Sequence, residues 1–90
     1  MMETIVECAV EMEFREAGPL TQAAARLRMR DGTEFTAHGV TNRHPDDPSQ
    51  QRVGEEVAAA RALYGLAEQL LDKAGVDIGE LTHEKVHLTR

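Results

Sequence analysis

The stretch Thr21-Gln22-Ala23-Ala24-Ala25-Arg26-Leu27-Arg28-Met29-Arg30-Asp31-Gly32-Thr33-Glu34-Phe35 decides the fold. Up to Arg30 it alternates. Ala23, Ala25, Leu27 and Met29 share one face, and Gln22, Ala24, Arg26, Arg28 and Arg30 share the other, the period of a half-buried strand. Asp31-Gly32 marks a turn, after which Thr33 to Thr41 set Phe35, Ala37 and Gly39 against Glu34, Thr36 and His38. The two faces determine the hairpin register. A two-residue Asp31-Gly32 loop would pair Arg28 with Phe35 and expose the ring. A three-residue loop, Arg30-Asp31-Gly32 with Gly32 left-handed in a bulge, pairs Leu27 with Phe35 and Arg28 with Glu34. The second arrangement is expected, because it satisfies the apolar face and the charges together.

Working backward, Val6, Cys8, Val10, Met12 and Phe14 alternate with Glu7, Ala9, Glu11 and Glu13, which predicts a strand over Val6 to Phe14. Ala17-Gly18-Pro19 supplies the turn into the next strand, and Glu7 and Glu11 would then oppose arginines across the ladder. Working forward, Asn42 to Gln51 reads as a crossing loop rich in polar residues and proline. Beyond it Val53, Val57, Ala60, Leu63, Tyr64, Ala67, Leu70, Leu71 and Ala74 recur at helical intervals and are expected to close the core. Asp47-Pro48-Ser49-Gln50 is an alternative, earlier cap. Glu55 and Glu56 near the start and Lys73 near the end suit the helix dipole, and Gly75 is the expected stop. A tail over 76–90 offers Ile78, Leu81, Val86 and Leu88 for loose docking. The expected class is α+β, a three-stranded antiparallel meander followed by one long helix (β-β-β-α), in a single domain spanning 1–90.

The chain has 90 residues, 41% hydrophobic and 29% charged, as befits a small folded domain. Aromatic residues are only 3%, with no Trp, too few to build base-stacking platforms. Sixteen acidic against ten basic residues give a net charge of -6, which disfavours non-specific binding to phosphate backbones. A single cysteine, Cys8, excludes an internal disulfide framework and points to a reducing cytosol. A signal peptide and a long apolar run are both absent from the sequence, so a cytoplasmic protein without membrane attachment is expected.

Chemistry-bearing patterns are sparse. His83 and His87 have an H-x3-H spacing, and His38 and His44 could join them, but without nearby cysteines they read as solvated surface residues and no metal site is expected. Cys8 on an apolar strand face behaves as a small hydrophobe. Asp46 and Asp47 beside prolines read as loop or cap residues. With no phosphate loop, nucleophile elbow or triad pattern, neither enzymatic activity nor a cofactor is expected. The one basic stripe is Arg26, Arg28 and Arg30, which Arg43 and Arg52 could extend into a nucleic-acid contact; the bland alternative is a solvated, salt-bridged sheet face.

Val53-Gly54-Glu55-Glu56-Val57-Ala58-Ala59-Ala60-Arg61-Ala62-Leu63, with Leu66-Ala67, Leu70-Leu71, Asp77-Ile78, Thr82-His83 and Ala25-Arg26-Leu27, resembles a family of small uncharacterised bacterial proteins described as double-stranded-RNA-binding-domain-like. The resemblance implies a stress- or dormancy-linked protein whose fold compares with ribosome hibernation-promoting factors. Its implied partner is the ribosome, with Arg26, Arg28, Arg30, Arg43 and Arg52 as the residues able to touch rRNA. Double-stranded-RNA-binding domains carry lysines at the start of the final helix, where this chain has Glu55 and Glu56. Those families also have a helix before the sheet, whereas this chain opens with a strand. The surface left uncovered makes a homodimer the expected state, and a homodimeric or protein-binding module without nucleic acid is the alternative function.

Overall fold

The structure, a computed structural model, describes residues 2–42 and 51–82. Strand β1 spans Val10–Ala17, β2 Leu20–Arg28 and β3 Glu34–Asn42, and helix α1 spans Gln51–Thr82. The strands form one antiparallel sheet in the order β1-β2-β3, so the chain adopts the expected β-β-β-α arrangement of the α+β class.

Both turns follow from local chemistry. Gly18, with φ of +57°, precedes Pro19, whose ring holds φ negative; this is the sign order of a type II′ turn, which matches strand twist. Between β2 and β3 the Met29 amide donates to the Thr33 carbonyl at 2.8 Å, and the Gly32 amide donates to the Met29 carbonyl at 3.0 Å. These bonds close the three-residue loop Arg30-Asp31-Gly32, with Gly32 at φ +89°. Leu27 therefore faces Phe35 and Arg28 faces Glu34, the register that the two faces require.

Strand β1 starts and ends later than the alternation alone predicts. Its ladder runs from Ala17 opposite Leu20 to Val10 opposite Leu27. Continued in that register, Cys8 would face Met29 and Val6 would face Asp31, both already committed to the β2–β3 turn. Residues 2–9 thus have no ladder partner among the described residues, Glu7 is opposite no arginine in that ladder, and Cys8 is exposed instead of lying on a buried face.

The helix corrects two expectations. It runs through Gly75 to Thr82, so residues 76–82 are helical and not a loose tail. An internal glycine costs a helix only about 1 kcal/mol, and the Lys73 to Asp77 ion pair at 2.7 Å spans the position. The second correction concerns the buried face. Val53, Leu63 and Tyr64 are all exposed, and the residues pressed on the sheet are Gly54, Ala58, Ala62 and Leu66, one turn apart along a single stripe. They meet Ala23, Ala25, Leu27 and Ala37 from β2 and β3. Val86 and Leu88 lie outside the described residues.

A core of this composition is thin. The sheet and helix touch mainly through glycine and alanine, joined by Leu27 and Leu66, and no large side chain is fully buried among the described residues. Gly39 on β3 is where the approach is closest. A Cβ there would sit 2.6 Å from the Ala62 main-chain nitrogen, 2.8 Å from the Arg61 Cβ, and against the Ala58 carbonyl. Two of those three neighbours are helix backbone, which cannot rotate away. At Gly54 the same addition meets only the Thr21 hydroxyl, at 3.3 Å. Gly39→Ala is therefore expected to cost about 3 kcal/mol by forcing the layers apart, and Gly54→Ala far less. Thermal unfolding followed by circular dichroism checks the contrast, with a Tm drop on the order of 10 °C or more for the first variant.

Candidate interaction surfaces

The outer face of the sheet, opposite α1, carries the arginine stripe. Arg26 lies opposite Glu11 in the ladder, with Nη1 at 4.0 Å from its carboxylate. Arg28 donates to Glu34 Oε1 from Nη2 at 2.6 Å and from Nε at 3.1 Å, and this pairing raises the guanidinium pKa further. Glu13 and Arg15 continue the alternation on β1, and exposed His38 sits opposite Ala24. Along this face Arg26 and Arg28 are thus paired with Glu11 and Glu34, and Glu13 and Arg15 add one charge of each sign.

The other candidate arginines do not join the stripe. Arg30 sits in the β2–β3 turn, on the rim of a groove of about 580 Å³ lined by Met29, Leu70, Leu71 and Ala74. Arg52 is at the start of α1, whose first turns lie near Thr21, at the opposite end of β2 from Arg28. Arg43 lies outside the described residues, as do His44, Asp46, Asp47, His83 and His87. Among the described residues no group of three or more His, Cys, Asp or Glu side chains is placed to hold a metal ion, and no helix is long and apolar enough to cross a membrane.

The two sheet edges differ. At β3, Arg61 Nη1 donates to the Val40 carbonyl at 2.6 Å and Gln69 Nε2 donates to the Thr36 carbonyl at 2.9 Å. These carbonyls are four residues apart and so lie on one side of the strand. Lys73, one turn beyond Gln69, reaches Asp31 at 3.0 Å as well as Asp77. Asp31 also accepts from the Thr33 hydroxyl and amide, and these bonds together with Lys73 hold its carboxyl well below the usual carboxylate range. One flank of α1 is thereby stitched to β3 and its turn.

Among the described residues nothing comparable covers β1. Val10, Met12 and Phe14 share the face of Leu27, Ala25 and Ala23, but α1 packs over β3 and β2. Val10 is 43% exposed and Phe14 41%. Leu63, two turns after Glu55 on the same flank of α1, is 44% exposed. Reading the sequence by alternation finds this apolar face but not its exposure, because exposure depends on where the helix lies across the sheet.

At the end of that strip Glu16 on β1 meets Glu55 on α1. A hydrogen bond between the two carboxyls, with Glu16 as partner, pushes the Glu55 pKa up. No spacing rule signals this pair, since it joins residues 39 positions apart through the tertiary fold. A carboxyl with a raised folded pKa binds its proton more tightly in the folded state, so stability falls as pH rises through and above the ordinary carboxylate range. Glu55→Gln is expected to raise the Tm at neutral pH and to flatten its decline between acid and neutral pH. Melting curves across that range check the sign, and a lower neutral Tm for the variant contradicts it.

Comparison with known proteins yields relatives without assigned roles. The uncharacterized protein Rv2632c of Mycobacterium tuberculosis is 34% identical over 79 residues, covering 88% of this chain and 84% of its own. The uncharacterized protein Mb1767 of Mycobacterium bovis is likewise 34% identical over 79 residues, covering 88% and 83%. The crystal structure of Rv2632c superposes with a TM-score of 0.85 at 31% identity, over 93% of this chain and 99% of that one. These relatives lend no support to the implied kinship with double-stranded-RNA-binding domains or hibernation factors. Residues 6–87 match the family described as Rv2632c-like, and the chain belongs to that family of uncharacterised proteins.

Proposed function

We propose that this chain is a non-enzymatic, cytoplasmic interaction module whose partner is a protein and not RNA. The observation that carries the reading is the apolar face of edge strand β1, where Val10 and Phe14 stand exposed beside the open ladder. Contiguous exposed apolar surface next to unpaired strand hydrogen-bonding groups is what protein partners cover. A ribosome-directed, stress-associated role would need a surface that collects phosphates. Glu11 and Glu34 cancel Arg26 and Arg28 at contact range, Glu55 and Glu56 occupy the start of the helix layer, and the chain as a whole carries -6. The single cysteine supports the cytoplasmic location.

Sedimentation with ribosomes through a sucrose cushion tests this reading. The protein is expected to stay at the top at low and high salt, with or without ribonuclease, and an Arg26→Gln/Arg28→Gln variant is expected to behave identically. Pelleting that disappears with added salt, with ribonuclease and with the double variant would overturn the proposal in favour of rRNA contact, because phosphate binding weakens steeply with salt.

A further inference from the structure

We infer that the partner seated on β1 is a second copy of this chain, paired antiparallel along β1 with Phe14 on the two-fold axis; the inference rests on the interaction-module reading above. The choice of edge comes first. Strand β3 has its main-chain carbonyls at Thr36 and Val40 occupied by Gln69 and Arg61 from its own helix, which blocks an incoming strand. Strand β1 is the opposite edge, regular from Val10 to Ala17, and it contains no proline. Long, regular, unprotected edges pair.

The occupant is chosen by self-complementarity. Side chains alternate with period two, so a symmetric antiparallel pairing that keeps like faces together must place a residue on the axis. With Met12 there, Glu11 would face the partner's Glu13, and the same like-charge pair would recur across the axis. With Glu13 there, Glu13 would face its own symmetry copy. With Phe14 there, Glu13 faces the partner's Arg15, Arg15 faces the partner's Glu13, and the two Phe14 rings meet. That register has two opposite-charge pairs, no like-charge pair and an aromatic pair, all of which favour a cross-strand interface.

The resulting assembly joins two three-stranded sheets into one of six strands, order β3-β2-β1-β1-β2-β3, with both helices on the same side. The exposed Phe14 side chains come together at its centre. The interface is isologous, so the two β1 edges satisfy one another and pairing stops at two. The outer face continues across the junction with its alternating charges in step.

Sedimentation equilibrium of the full chain tests the inference together with three variants, Glu13→Arg, Arg15→Glu and the double swap. Both residues are exposed and lie opposite Ala24 and Gln22 in the sheet, so the exchange leaves the domain's own ladder intact, as circular dichroism verifies. The wild-type chain is expected to be a dimer. Each single variant sets like charges opposite one another twice and is expected to weaken the dimer about ten-fold or more, whereas the double swap restores wild-type affinity. Only the Phe14-centred register predicts that restoration, since the Glu13-centred one would set arginines and glutamates against themselves in the double variant. A wild-type chain that stays monomeric at the highest concentration reached, or a double swap as weak as the singles, would overturn the inference. Neither result bears on ribosome sedimentation, so the self-pairing and the wider interaction-module reading fail separately.

Discussion

The close approach of α1 to the sheet governs the rest of this structure. Gly39, Ala37, Ala23 and Ala25 on one side, and Gly54, Ala58, Ala62 and Gly65 on the other, bring the layers close together, and Leu27 and Leu66 are the only larger side chains buried between them among the described residues. At Gly39 a larger side chain would meet main-chain atoms of the helix that cannot move aside. Apart from Leu27 and Leu66, the bulky apolar residues of both layers lie toward the margins of this seam, partly buried or exposed. On the β3 side they are joined by Arg61, Gln69 and Lys73, which fasten the helix to strand and turn. On the β1 side Val10, Phe14 and Leu63 are left part-covered. The asymmetry of the surface is thus a product of the smallness of the core.

Electrostatics reinforce that asymmetry. The outer sheet face pairs arginines with glutamates, so the strongest basic stripe in the sequence generates little field at a distance. Where two acids meet, at Glu16 and Glu55, their hydrogen bond, the partial burial of Glu55 and their repulsion outweigh the opposing field of Arg52, and the ionised pair works against the folded state above the carboxylate range. The neutralised basic face and the apolar edge are the two surface features on which the proposal of a protein partner rests.

Much of this architecture is legible in the residues, and the limits are physical. Alternation gives three strands, and the pairing of Leu27 with Phe35 follows because only one loop length keeps that ring on the apolar side. Strand β1 is misplaced by alternation alone, because a strand extends only as far as its partner does and β2 turns away after Arg28. Gly75 misleads because glycine is merely permitted to end a helix; here the helix continues across it, with the Lys73–Asp77 ion pair spanning the position. The buried helix face is missed for a deeper reason. Hydrophobicity favours the stripe through Val53, Leu63 and Tyr64, but contact geometry selects the stripe of glycine and alanine, and at this seam geometry prevails. Arg30 shares the parity of Arg26 and Arg28, but the turn takes it to the groove beneath the helix.

A seam of methyl groups also shapes how the domain responds to temperature. The heat capacity released on unfolding scales with the apolar surface that becomes hydrated, and alanine and glycine contribute little of it. A small heat-capacity change makes the free-energy curve broad and shallow, with enthalpy and entropy of unfolding that drift slowly as the temperature moves. The chain therefore gains less than a bulky-cored domain does near its temperature of maximum stability, and loses less on cooling below it.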